Sequence, residues 1–306
     1  MTLSPKRATL LLALVISARA TSFMFSKLCL LSMNTVSLLA LRFTTAAVIL
    51  FLIFNRKLLR SVSKHSVISG IIIGTIYYLV LTAEHTGLKT TNASTAAFIE
   101  NLAIIIVPFI ECVIARMLPS KKNLISAALA VIGVGTLTMV GNRFGFTTGE
   151  GFLLMAASLY ATAICTTSRL VKGGDAFVIG FFQVTTTGVL SWINVAIEGH
   201  LTLPQQPSQY LMILMLAVVC TCFGFTLQPV AQSKLSPETA GSFCALGPLV
   251  ASTLSCLVLK EQVTMYALLG AILILTSLAI QSNLLRIPGK SQQANRFPRI
   301  SHQHNS

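Results

Sequence analysis

Residues 35–54 read TVSLLALRFTTAAVILFLIF, twenty residues with a single charge, Arg42. As a helix rising 1.5 Å per residue they cover about 30 Å, the thickness of the hydrocarbon core of a bilayer. The stretch therefore reads as a membrane-spanning helix. Nine further apolar stretches stand around it, giving spans at 8–28, 35–54, 66–87, 93–115, 124–140, 150–170, 176–198, 209–230, 239–259 and 263–284. The separators are short and carry Pro, Gly, Asn or charge, as in Pro119-Ser120-Lys121-Lys122 and Pro204-Gln205-Gln206-Pro207.

Composition agrees. Of 306 residues, 54% are hydrophobic and 10% charged, against roughly 25% charged in an ordinary soluble domain. The mean hydropathy is +0.79. The net charge of +14 comes from basic residues in short clusters between apolar runs. That is the pattern of cytoplasmic loops facing anionic lipid, not of a nucleic-acid surface. With the N-terminus inside, sixteen Lys and Arg fall on inside segments, four outside, and Arg19 and Arg42 within spans. Both termini are thus expected in the cytoplasm, with an even number of spans. The seven cysteines form no C-x-x-C pair, so no disulfide framework, metal site or cofactor is expected. Ala18-Arg19-Ala20 resembles a signal-peptide cleavage site, but the apolar run continues to Leu31 and reads as an uncleaved first span.

A shift of about 142 residues aligns the two halves, as expected of an internal repeat. Lys27 then falls near Arg169, Arg42 opposite Gln183, and Ala127-Ala128 with Gly133 on Gly270-Ala271 with Thr276. Five spans per half is odd, so the second half enters the membrane from the opposite side. The expected fold is an all-α membrane protein of ten transmembrane helices in two inverted five-helix repeats. The expected divisions are 1–141, 149–285 and a basic, disordered cytoplasmic tail at 286–306.

Residues 87–98, GLKTTNASTAAF, followed by Val107-Pro108, resemble the entry into the fourth helix of EamA-type permeases of the drug/metabolite transporter superfamily. Residues 227–240, LQPVAQSKLSPETA, then Leu246-Gly247-Pro248 and Leu259-Lys260-Glu261, resemble the second-half counterpart. Ala40-Leu41-Arg42-Phe43 is similar to the family's second helix. There are departures: Ala18-Arg19 stands where the family often has Trp-Gly, Gly247 where it often has Glu, and Met117-Leu118 lacks a first-half Glu. The resemblance implies a secondary, alternating-access transporter in the cell membrane that exports or exchanges amino acids, organic anions or drug-like compounds, with protons as the candidate coupling ion.

A charge near the bilayer centre costs roughly 2.5–3.5 kcal/mol on insertion scales, so it normally faces a cavity or a partner. Arg19 lies near the middle of the first span, with Ser22 and Ser26 on its face. Arg42 and Glu100 lie in the outer parts of their spans. On the functional reading, Arg19 and Arg42 line a central cavity and attract an anionic group, with Glu100 as their resting counter-ion. The alternative is a permanent buried Arg–Glu pair that fixes helix packing. Tyr77, Glu84 and His85 share the third span, and Glu84 and His85 are candidates for proton coupling or for a polar interfacial cap. Gln183 is a candidate for hydrogen-bonding a substrate or for holding helices together. Glu111 is expected to pair with Arg116 at the cytoplasmic interface, and Pro108 and Pro248 to kink their helices. No phosphate loop, zinc-protease motif or nucleophile elbow appears. The expected driving force is therefore a gradient. A membrane enzyme acting on lipid-linked substrates and a non-transporting receptor-like subunit remain as alternatives.

Overall fold

The computed structural model describes residues 5–137, 139–140, 143–144, 147–235, 246–261 and 264–281. The helices, in chain order, are α1 (Pro5–Cys29), α2 (Thr35–Ser61), α3 (Lys64–Leu88), α4 (Ala93–Glu100), α5 (Ala103–Ala115), α6 (Lys121–Leu137), α7 (Thr148–Leu170), α8 (Ala176–Glu198), α9 (Pro207–Met215), α10 (Thr226–Gln232), α11 (Leu246–Leu254) and α12 (Met265–Gln281). A π-helical stretch, Leu216–Phe225, joins α9 to α10, and another, Ser255–Leu259, extends α11. Met139–Val140 pairs antiparallel with Arg143–Phe144 where the fifth span was expected to run on to residue 140.

Among the described residues, seven helical runs are long and apolar enough to cross a membrane: Arg7–Cys29, Thr35–Ser61, Lys64–Leu88, Ala93–Ala115, Thr148–Gly173, Ala176–Glu198 and Pro207–Gln232. Lys121–Leu137, Leu246–Leu259 and Met265–Ile280 are shorter apolar helices. Outward faces are apolar, with Leu52 67% and Val131 72% exposed. A solvent that accepts such side chains in continuous bands is lipid. The chain is a multi-pass membrane protein.

Helix ends follow local chemistry. Asn34 caps α2 by accepting from the Ser37 amide at 2.8 Å, and Asp175 caps α8 through the amides of Phe177 and Val178. Gly199 ends α8 at φ 65°, a left-handed geometry that costs glycine nothing. Asn34 also takes a hydrogen bond from the Thr202 hydroxyl and donates to the His200 carbonyl, tying α2 to the loop after α8. Losing a helix cap costs about 1–2 kcal/mol, so Asn34→Ala should lower the melting temperature in detergent by several degrees, read by intrinsic fluorescence.

The irregularities differ from the expected ones. α2 continues past residue 54 to Ser61, and its kink lies at Phe54 (φ −116°, ψ 16°). The fourth span breaks at Asn101–Leu102, about two turns before Pro108, where the bonds tighten to i→i−3 at Leu102, Ile104 and Ile105. The π stretch ends at Phe225, the residue whose carbonyl loses its usual helical donor because Pro229, inside α10, has no N–H. Residues 239–245 of the expected ninth span, with Gly241 and Cys244, lie outside the described residues, as do 282–306 with the expected tail.

Packing relates the halves. α2 lies on α8, and α6 on α12. α1 packs on the π stretch and on α11, as α7 packs on α3 and on α4–α5. Arg169 of α7 reaches Glu111 of α5 at 2.9 Å. The expected Glu111–Arg116 pair does not form because α5 stops at Ala115 and Arg116 turns left-handed at φ 53°, off the helical face.

Candidate functional site

Arg19 extends from α1 toward the middle of the bundle. Its Nη1 donates to the Tyr160 hydroxyl of α7 at 2.8 Å and to Oε1 of Gln228 in α10. Its guanidinium carbon lies 4.2 Å from the Phe225 ring centroid, 5.0 Å from Tyr160 and 5.6 Å from Tyr77. Gly224 makes room for it: a Cβ there would come within 2.6 Å of Arg19 Cγ. Charge over an aromatic face gains about 0.5–2 kcal/mol, more where water is excluded.

Arg42 of α2 is fully buried. Its Nε donates to the Thr221 hydroxyl at 2.8 Å, and its guanidinium carbon lies 5.6 Å from the Phe225 centroid. Phe225 therefore stands within 6 Å of both guanidiniums. Nη1 and Nη2 of Arg42 have no hydrogen-bond partner among the described residues. A buried cation with two unmet donors is an energetic liability unless an acceptor reaches it. Tyr77 and Phe43 close the aromatic cluster, with centroids 5.2 and 5.6 Å from Phe225.

The acidic groups sit on the same side. Glu84 of α3 and Glu100 at the end of α4 are both buried. The two carboxyls line a cavity of about 30 Å³ together with Arg19, Ser22, Asn101 and Gly247. That volume holds a water molecule or two. His85 belongs to a neighbouring polar knot: Nε2 meets the Ser26 hydroxyl at 3.1 Å and Nδ1 the Leu81 carbonyl at 2.8 Å.

The structure thus gathers Arg19, Arg42, Tyr77, Glu84 and Glu100 around one centre, with His85 adjoining. Gln183 is elsewhere. It is buried on α8 where α8 meets α3, and neither amide atom has a hydrogen-bond partner among the described residues. Sequence reasoning did not single out Tyr160, Thr221, Phe225 or Gln228. Two signals were available. The repeat shift of about 142 residues carries Arg19 to within one residue of Tyr160. Thr221, Phe225 and Gln228 recur at i, i+4 and i+7, one helix face, beside Pro229.

Residues 6–139 and 147–282 each match the EamA-like transporter family. An uncharacterized transporter of Archaeoglobus fulgidus is 26% identical over 213 residues, which is 70% of this chain and 68% of the relative. A solved crystal structure superposes with a TM-score of 0.68 at 16% identity, covering 92% of this chain and 98% of the other, and so shares the fold.

Proposed function

This chain belongs to the EamA-like transporter family, and on that premise we propose that it is a secondary, alternating-access transporter of small organic anions in the cell membrane, working as an exporter or exchanger. Ten spans form two inverted repeats, 1–141 and 149–285, with both termini cytoplasmic. The reciprocal packing of α1 and α7, and the self-paired contacts α2–α8 and α6–α12, support that division.

One observation carries the substrate class: the buried Arg42 guanidinium with two unpartnered nitrogens, next to Arg19 across Phe225. A carboxylate or a similar planar anion matches such a fork. Glu84 and Glu100 are buried carboxyls that line the same cavity as Arg19 and compete for the same cations. Arrival of the anion and uptake of a proton by these carboxyls are then linked through Arg19 and Arg42, which is the simplest route to proton coupling. Neither repeat can hold the cargo alone, because the site draws on α1, α2, α3 and α4 from one half and α7 and the π stretch from the other.

Purified protein in liposomes, offered a panel of labelled carboxylates, amino acids and neutral metabolites, tests the reading. Saturable uptake or counterflow of an anionic compound is expected, changed by an imposed pH gradient. Absence of flux with every compound, together with chemical conversion of one of them, would overturn it in favour of a membrane enzyme.

A further inference from the structure

One end of the bundle is tied together by polar contacts that cross between the halves. Ser32 accepts from Gln209 at 2.6 Å, and Ser37 accepts from the Thr202 amide at 2.9 Å. The most concentrated link is Glu261, in the loop before α12. Its Oε1 accepts from the Ala93 amide at 2.8 Å, and its Oε2 accepts from the Ser94 amide at 3.3 Å and the Ser94 hydroxyl at 2.6 Å. One carboxylate thereby satisfies the first turn of α4, the helix that brings Glu100 to the cavity. Beside it, Lys27 Nζ donates to the carbonyls of Leu88 (2.6 Å) and Thr91 (2.8 Å), where α3 ends. The acid meets the positive end of α4 and the base the negative end of α3, the favourable sense for both helix dipoles.

The corresponding loop of the first half is built alike in backbone and differently in chemistry. Lys260, just before Glu261, has φ 53°, and Arg116 has φ 53°. They are the two non-glycine residues of positive φ among the described residues, both basic and both ending a helix. The alignment of the halves brings these two positions within a few residues of each other, so Glu261 corresponds to Met117. Met117 and Leu118 are 55% and 92% exposed and carry no side-chain oxygen to accept from a helix N-terminus.

We infer that Glu261 latches the outer gate. Its carboxylate holds the start of α4 against the loop between α11 and α12 in the closed form and leaves Ala93 and Ser94 when the cavity opens on that side. Glu261 is a positioning residue: it touches no cargo and acts through the tilt of α4. The first-half loop carries Met117 in its place, so the acid latch belongs to the outer end and biases the resting protein toward an outside-closed form. The inference rests on the alternating-access reading and adds the residue that sets its conformational balance.

Accessibility of the cavity tests it. Ser22 is buried and lines the cavity. A full-length chain with its native cysteines replaced and Ser22→Cys added is treated with a membrane-impermeant thiol reagent, in right-side-out and in inside-out vesicles. Glu261→Gln keeps an acceptor oxygen while removing the charge, so the fold is retained and a melting curve verifies it. The outer-side labelling rate should rise about tenfold and the inner-side rate fall, as expected when one of two states loses charge-assisted hydrogen bonds. Glu261→Asp should fall between the two. Labelling from both sides at rates indifferent to Glu261→Gln overturns the latch alone, and so does a rise on both sides together, which is general loosening. Labelling confined to one side in every variant overturns alternating access and the latch with it.

Discussion

Arg19→Ala is expected to lower the initial rate of anion flux at least ~100-fold in liposomes while the protein stays folded. Arg19 gathers Tyr160, Gln228 and Phe225 from the second half onto a helix of the first. A charge-assisted hydrogen bond contributes about 1.5–3 kcal/mol, and stacking over an aromatic ring about 0.5–2 kcal/mol. Losing about 3 kcal/mol of cargo binding is a factor of ~100. The fold tolerates the change because Arg19 is only partly buried and its stem occupies the space beside Gly224, where shortening leaves room for water and creates no clash. Arg19→Lys separates charge from shape. It keeps the cation but loses the planar fork that reaches Tyr160 and Gln228 while lying over Phe225, so flux should fall about tenfold. Flux in Arg19→Ala equal to that of the unmodified protein would make Arg19 a packing element and return the site to the permanent ion-pair reading.

Seven of the spans were legible among the described residues because hydropathy reports the solvent of each segment, and lipid sets the length that a crossing helix needs. Segment 176–198 coincides with α8, and the expected end of the second span at residue 54 falls on the kink at Phe54. Arg19, Arg42 and Glu100 were legible for the same reason, since an intramembrane charge announces itself. Their partners were not. Local spacing connected Arg19 to Ser22 and Ser26, whereas its hydrogen bonds reach Tyr160 and Gln228, 141 and 209 positions away. Glu111 shows the limit in reverse: its chain neighbour Arg116 leaves the helical face at the left-handed turn, and Arg169, 58 positions away, takes its place. Proline marked bends only loosely. The fourth span breaks at Asn101 and not at Pro108, and Pro229, which did not stand out as a bend, adjoins the π stretch that places Phe225 between the guanidiniums. Gln183 was chosen by polarity alone. Its burial at the α3–α8 seam follows from the glycines Gly70 and Gly74, which let that backbone come close.

Gly270→Leu should prevent stable folding, through a seam that has no part in the cavity. α6 and α12 pack along each other, and none of the cavity-lining residues lies on either. Their backbones approach at Gly133 and Gly270. A Cβ on Gly270 would stand 2.5 Å from the Leu137 nitrogen and 2.7 Å from the Gly133 carbonyl oxygen; a Cβ on Gly133 would stand 2.8 Å from Ile274 Cγ1. Backbone atoms cannot step aside as a flexible side chain can. Nearby, the Ser277 hydroxyl donates to the Ser126 carbonyl at 2.6 Å, which fixes the register of the pair. In lipid there is no hydrophobic drive to restore a parted seam, so association depends on this close packing and on such hydrogen bonds. Overpacking by one carbon costs about 1–3 kcal/mol, and each kcal/mol moves the melting temperature of a chain this size by roughly 2–4 °C. Gly270→Ala should therefore melt about 5 °C below the unmodified protein, and Gly270→Leu should yield little monodisperse protein on size exclusion in detergent. Because the seam is remote from Arg19 and Arg42, flux per folded molecule of Gly270→Ala should be unchanged. A Leu variant that melts with the unmodified protein would mean that α6 and α12 do not meet at these two glycines.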